Sequence, residues 1–248
     1  MKKITPQQLA EKTITLLKES ANPDEAKTQR RFFKSKEKIE ILGLNADQQQ
    51  SVGKFIYKQI CNIWSIDEAI DFVELLISQP ELEAKLVSII FLKNYINDLR
   101  PDIQNRIKKW LLCNYCNNWE IVDSLCLSIM ASLINKYPEI IPELLDWSKS
   151  ANLWVRRASI VSLVKLAGHG EKLDVVYSLI EQLLSDTNDL IQKPNGWLLR
   201  EAGKKDPERL EQFLLKHNSA IPRVTVRYAI ERFPENKRKW LLLETKRI

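Results

Sequence analysis

Apolar residues recur every three or four positions along nearly the whole chain. AIDFVELLIS (residues 69–78) and PERLEQFLLKH (207–217) are two of the clearest cases. That interval is the period of a helix with one buried face. No stretch alternates convincingly between apolar and polar residues as a half-buried strand does. Helix starts are marked as well. Thr5-Pro6, Asn22-Pro23 and Asp206-Pro207 each put a capping residue before a proline suited to the first helical position, and Ser65-Ile66-Asp67-Glu68 is a capping box. The pattern predicts an all-α fold.

The helices are spaced as pairs. First helices are expected to start near Ser65, Arg100, Pro138, Leu173 and Asp206, about 33 to 38 residues apart. Second helices are expected near Pro80, Asn117, Ala151, Thr187 and Ile221. One such pair cannot bury its apolar face alone and leans on its neighbours. No tetratricopeptide or ankyrin consensus recurs, so the expectation is a HEAT-like helix-pair solenoid forming a single domain over residues 1–248. Its N-terminal helices would occupy 1–60 and its repeats about 65–248.

Composition narrows the function. With 248 residues and 44% hydrophobic content, the chain can build one sizeable core or a short repeat array. Six glycines leave little room for Gly-rich phosphate loops. No apolar run approaches the roughly 20 residues of a membrane span. The start, MKKITPQQLAEKTITLLKES, reads as an amphipathic helix rather than a signal peptide. Cys113 and Cys116 form a C-x-x-C, but no second pair has metal-ligand spacing and the two histidines, His169 and His217, are distant. Reduced structural thiols in a cytoplasmic protein with no metal and no cofactor are expected. A net charge of +6 and a pI near 9.0 lean towards a polyanionic partner.

The second helices share a pattern that the first helices lack. One carries Trp119 with Asp123, the next Trp154 with Arg157, the next Trp197 with Arg200, and the last Arg223 and Arg227 without a Trp. Residues three or four apart share a helix face. Adding Lys193, the layer of second helices is expected to form a concave basic groove around one acidic residue, Asp123.

Three segments carry a family likeness. NNWEIVDSL, NLWVRRASIV and DLIQKPNGWLLREAGKKDPERL resemble, in order and spacing, the signature segments of the AlkD-like DNA alkylation-repair glycosylases. The likeness runs from about Pro23 to Phe233. It implies a HEAT-like enzyme that removes positively charged alkylpurines, such as 3-methyladenine and 7-methylguanine, from duplex DNA, acting as a monomer. By resemblance, Asp123 matches the catalytic carboxylate, and Trp119 and Trp197 match indoles flanking the damaged nucleotide's sugar and phosphate. Arg157 and Arg200 match arginines near DNA phosphates. Trp154, Lys193, Arg223 and Arg227 are further expected DNA contacts. A rival class is a non-catalytic HEAT-like module that holds bent or branched DNA. Retention of Asp123 with both indoles favours the enzyme, because phosphate binding needs no acid.

Two features depart from the family pattern, an N-terminal segment and Pro194. Phe32 stands where the family commonly has Tyr, and Asn45-Ala46-Asp47 follows the Leu-Gly pair where T-P-E is usual. Phe32 is still expected to contact DNA through its ring, since Lys27, Arg30, Arg31 and Lys34 crowd the same stretch; the competing reading is that Phe32 and Phe33 only pin a helix. Pro194 falls inside IQKPNGWLLR, where it either starts the helix afresh, re-aims Trp197 and Arg200, or is accommodated without consequence.

Overall fold

The structure, a computed structural model, describes residues 3–33 and 39–245. Lys34 lies outside them. The described residues are helical, with no strand beyond one isolated bridge between Glu40 and Glu81. None of their helices is long and apolar enough to cross a membrane. The chain separates into two compact units, residues 1–129 and 130–248.

The first unit holds α1 (Pro6–Glu19), α2 (Pro23–Gln29), α3 (Ala46–Ile60), α4 (Ile66–Ile77), α5 (Leu82–Leu92), α6 (Ile103–Leu112) and α7 (Trp119–Leu125). The second holds α8 (Ala131–Lys136), α9 (Ile141–Trp147), α10 (Leu153–Val161), α11 (Val164–His169), α12 (Leu173–Leu183), α13 (Asp189–Gly203), α14 (Pro207–Lys216), α15 (Arg223–Ala229) and α16 (Glu235–Glu244). A π-helical stretch, Cys126–Met130, follows α7. The starts fall within a few residues of those read from the sequence, and the caps named there form: Thr5 and Ser65 each close a capping box, and Asn22 and Asp206 accept from first-turn amides. Asn45, not read as a cap from the sequence, closes a third capping box.

The second helices begin in a shared way. Asn118, Asn152 and Asn188 cap α7, α10 and α13 through their side-chain oxygens. Each satisfies amides that a helix start would leave without an acceptor. The first turn, where the repeated tryptophans of α7 and α10 lie, is thereby fixed.

In the first unit α5 packs against α1, α3, α4 and α7 and is buried nearly throughout. An aromatic cluster fills the space around it, with Phe72 and Phe91 edge-to-face at 4.7 Å and Trp64 at 5.7 Å from Phe72. In the second unit α13 is the central helix, packed on α10, α11, α12, α14 and α15. A Cβ on Gly196 would stand 2.4 Å from the Tyr228 Cβ and 2.5 Å from the Thr225 carbonyl oxygen. Glycine is therefore what lets α13 and α15 touch.

One buried acid organises the N-terminal part of the first unit. Glu83, on α5, has no exposed surface. Its Oε1 accepts the backbone N–H groups of Leu42 (3.0 Å), Gly43 (2.7 Å) and Leu44 (3.2 Å). Gly43 has a φ of +87° and sits so close to α2 that a Cβ would lie 2.1 Å from the Asn22 carbonyl oxygen. The Leu42-Gly43 pair thus has a backbone reason: a left-handed turn pressed against the start of α2. Asn22 N–H in turn donates to the Leu42 carbonyl at 2.8 Å.

Glu83→Ala leaves three inward-facing amides without their acceptor, at roughly 1–3 kcal/mol for each unsatisfied group. The expected loss in urea unfolding is about 3 kcal/mol or more. An unchanged midpoint would show that this loop is not held by the carboxylate.

Candidate functional site

The seven tryptophans sort by how their indoles are placed. Trp64, Trp110 and Trp147 are buried, and their Nε1 atoms donate to the Ile4 carbonyl (3.0 Å), Glu74 (3.1 Å) and Glu143 (3.2 Å). These are core residues with a polar tip accommodated. Trp240, near the C-terminal end, lies on the surface under the Lys237 ammonium at 4.7 Å. Trp119, Trp154 and Trp197 are half-buried, and their indole N–H groups have no partner among the described residues. They are the three that the spacing pattern singles out. Each is poised to give an N–H and an aromatic face to something outside its own unit's core.

In the first unit, Trp119 opens α7 directly after its cap, Asn118, whose side-chain oxygen accepts from Ile121 N at 3.0 Å. Ile121, Val122 and Leu125 are buried and hold the helix down. Asp123 is half-buried one turn beyond Trp119, on the same face. Phe33 stacks on Trp119, with ring centroids 5.9 Å apart and an interplanar angle of 27°. Phe33 is 7% exposed, whereas its neighbour Phe32 is 72% exposed. The two phenylalanines thus divide the roles weighed from the sequence. Phe33 pins the segment and supports the indole, while Phe32 stands in solvent where a partner can reach it. Phe33 was not separable from Phe32 by sequence, since both follow the same basic run.

Glu120, in the first turn of α7, feels the charge of Glu83 on α5. Burial, and then the charge of Glu83, push the Glu120 carboxyl above its ordinary range. Neither residue stood out in the sequence, because a glutamate in a helix reads as a solvated surface group.

The C-x-x-C pair is asymmetric. Cys113 is exposed and Cys116 is fully buried, and both are free thiols. Burial pushes the Cys116 thiol up to about 12, against a smaller opposing influence of Lys85. A thiolate for metal or redox chemistry needs the opposite shift. Among the described residues no group of three or more His, Cys, Asp or Glu is gathered around a metal-sized site.

In the second unit, Trp154 lies in the first turn of α10, its backbone N–H on Asn152 Oδ1 at 2.8 Å. The paired arginines behind it are turned inward. Arg156 binds Asp186 at 2.8 Å and the carbonyls of Ser150 and Ala151. Arg157 is 6% exposed, and its Nη1 donates to the Leu190 carbonyl at 2.7 Å. That is not the solvent-edge position expected of a phosphate contact. The W-x-x-R spacing gives the helix face and not the depth.

On α13, Pro194 neither ends nor restarts the helix, which is continuous over Asp189–Gly203. Lys193 pairs with Asp189 at 3.1 Å, and Arg200 binds Glu201 at 3.3 Å and also Glu231. Arg223 and Arg227 are exposed on α15; Arg223 donates to the Leu242 carbonyl, and Arg227 has no charged partner among the described residues. Tyr228, next to Arg227 and against Gly196, is 38% exposed and was missed in the sequence. Its signal, a lone Tyr beside an Arg, is common on ordinary helix surfaces.

The basic surplus is unevenly placed. Residues 1–129 carry 18 Lys and Arg against 17 Asp and Glu, whereas residues 130–248 carry 20 against 15. The second unit supplies most of the attraction for a polyanion.

Phe33→Ala should cost about 3–5 kcal/mol of stability, and Phe32→Ala about 0.5 kcal/mol or less, while DNA affinity should fall for Phe32→Ala; equal destabilisation by the two would refute this division. Glu120 gives a pH-dependent expectation. A carboxyl whose folded pKa is raised favours the folded state below its unfolded pKa, and that contribution is lost as pH rises through the folded value. Glu120→Gln does not ionise, so it should resist urea better than wild type near pH 7, with the gain vanishing below about pH 4. A gain that is independent of pH would contradict this.

Comparison with known proteins places the chain. A family model described as "DNA alkylation repair enzyme" matches residues 13–233. No curated protein matches the sequence. Among solved structures, a predicted DNA alkylation repair enzyme from Enterococcus faecalis is similar over 87% of this chain and 97% of its own, with a TM-score of 0.76 and 18% identity. The alkylpurine DNA glycosylase AlkC of Pseudomonas fluorescens, solved on DNA containing an abasic site analog, is similar over 96% of this chain and 65% of its own, with a TM-score of 0.54 and 13% identity. The protein smu.31 from Streptococcus mutans UA159 is similar over 92% of this chain and 100% of its own, with a TM-score of 0.51 and 16% identity. At these identities the structures speak for the fold, and the family model, which spans most of the sequence, speaks for descent. The chain belongs to the DNA alkylation repair enzyme family.

Proposed function

We propose that the protein is a DNA glycosylase that hydrolyses the N-glycosidic bond of cationic alkylated purines, 3-methyladenine and 7-methylguanine among them, in duplex DNA. The observation that carries this reading is the face of α7. Asp123 shares it with Trp119, whose ring is backed by Phe33 and whose N–H is open. A carboxylate beside a supported indole suits one kind of work above others, which is to stabilise positive charge developing next to it.

The chemistry needs little more. An N-alkylated purine already carries positive charge and leaves without a general acid. The barrier is then the oxocarbenium-like sugar. Asp123 stabilises that cation and orients the attacking water, and Trp119 and Trp197 flank the nucleotide. Lys193, Arg200, Arg223 and Arg227 hold phosphates by charge. For Lys193 the phosphate takes over from Asp189, an exchange between exposed ion pairs that costs little, while Arg200 reaches a phosphate from a half-buried position beside Glu201 and Glu231.

The reaction stops at an abasic site. A lyase would use a lysine amine as nucleophile, and a lowered pKa marks such a group. Burial does push the Lys85 ammonium down. However, Lys85 is 5% exposed and its Nζ is clamped between the Ile77 (2.9 Å) and Tyr115 (2.6 Å) carbonyls, which makes it a tie between α4 and the segment before α7.

Asp123→Asn should lower single-turnover excision by on the order of 10² or more, with DNA binding unchanged or tighter because a negative charge has been removed. Equal excision by both proteins would take Asp123 out of the mechanism. Tight binding of bent or branched DNA with no excision by wild type would favour a non-catalytic module instead.

A further inference from the structure

Proline in a helix interior removes one backbone donor, and its ring pushes away the carbonyl four residues back. For Pro194 that carbonyl belongs to Leu190, which is the one Arg157 Nη1 holds at 2.7 Å. Arg157 is 6% exposed, and this hydrogen bond is partly buried. Its side chain replaces, from a neighbouring helix, the donor that α13 lacks at Pro194.

The same turn of α13 is held at other points. Thr225 Oγ1 donates to the Gln192 carbonyl at 2.9 Å, and Asn195 Nδ2 reaches the Leu183 carbonyl at 3.4 Å. Gly196 keeps α15 in contact. Trp197 follows Pro194 by one turn, so the direction of the helix here sets where the indole stands.

We infer that Arg157 is a positioning residue: it completes the backbone of α13 at Pro194 and thereby aims Trp197 at the DNA, instead of gripping a phosphate itself. The inference rests on the proposed glycosylase reading for its effect on the reaction, but its structural core does not. A residue in this role has two signatures. Its loss slows excision without changing the number of phosphate contacts, and it becomes dispensable once α13 regains its own donor. Pro194→Ala supplies that donor, because alanine brings a backbone N–H that can bond the Leu190 carbonyl in the ordinary helical way.

The test compares wild type, Arg157→Ala, Pro194→Ala and the double variant. Three quantities are measured: amide hydrogen exchange along α13, single-turnover release of 7-methylguanine per folded molecule, and the slope of log DNA affinity against log salt. Arg157→Ala should speed exchange in α13 and slow release by on the order of 10-fold to 10²-fold, with the salt slope unchanged. In the Pro194→Ala background the same change should cost less than about 3-fold, since the donor it removes is no longer needed. A salt slope that falls by close to one unit, or an equal loss of release in both backgrounds, would overturn the inference. If wild type releases no base, the glycosylase reading fails while the exchange data still decide the α13 part. Protection restored in the double variant supports that part, and protection lost equally with and without Pro194 refutes it.

Discussion

A buried backbone amide or carbonyl with no partner costs about as much as a good contact gains, and this constraint explains more of the molecule than any single apolar contact. The chain is almost entirely short helices, so it has many helix ends, each with N–H and C=O groups left over. Asn118, Asn152 and Asn188 settle the starts of the second helices. Glu83 settles the amides of Leu42, Gly43 and Leu44, and Arg157 settles the Leu190 carbonyl. Fixing these groups also fixes what is attached to them. Trp119 and Trp154 follow their caps within two residues, and Trp197 follows Pro194 by one turn.

Within each unit the half-buried indoles take their character from this. Trp119 and Trp154 stand in first turns fixed by a cap, and Trp119 is backed by the Phe33 ring as well, yet their N–H groups have no partner among the described residues. Groups oriented in advance lose little freedom when a partner arrives, and that is where a protein with no metal cluster among its described residues and few histidines can find catalytic advantage. In the proposed reaction the substrate would bring its own positive charge, and a single carboxylate would then suffice.

The helices were legible in the sequence because their caps are local signals: Ser65 to Glu68 or Asn22-Pro23 act over four residues or fewer. The face shared by Trp119 and Asp123 was legible for the same reason, being a matter of spacing on one helix. Depth was not. Glu83 and Arg157 look like surface charges, and their burial depends on partners 39 to 41 and 33 residues away. Phe32 and Phe33 are adjacent and chemically identical, so only the packing against Trp119 tells them apart. Pro194 could be read as a disturbance but not resolved, because its remedy comes from another helix. The sequence marks where helices begin and which residues share a face, and tertiary structure decides which charges are spent inside.

If the proposed chemistry is right, this DNA alkylation repair protein breaks a glycosidic bond and does no more. The most direct measurement is chromatography of the small-molecule fraction after purified protein acts on methylated duplex DNA, with the DNA then run on a denaturing gel before and after alkali. Free 7-methylguanine and 3-methyladenine should enter the small-molecule fraction, with strands intact until alkali cleaves them at the abasic sites. Full-length DNA that binds the protein but yields no free base would contradict that chemistry, as would strands already cut before alkali.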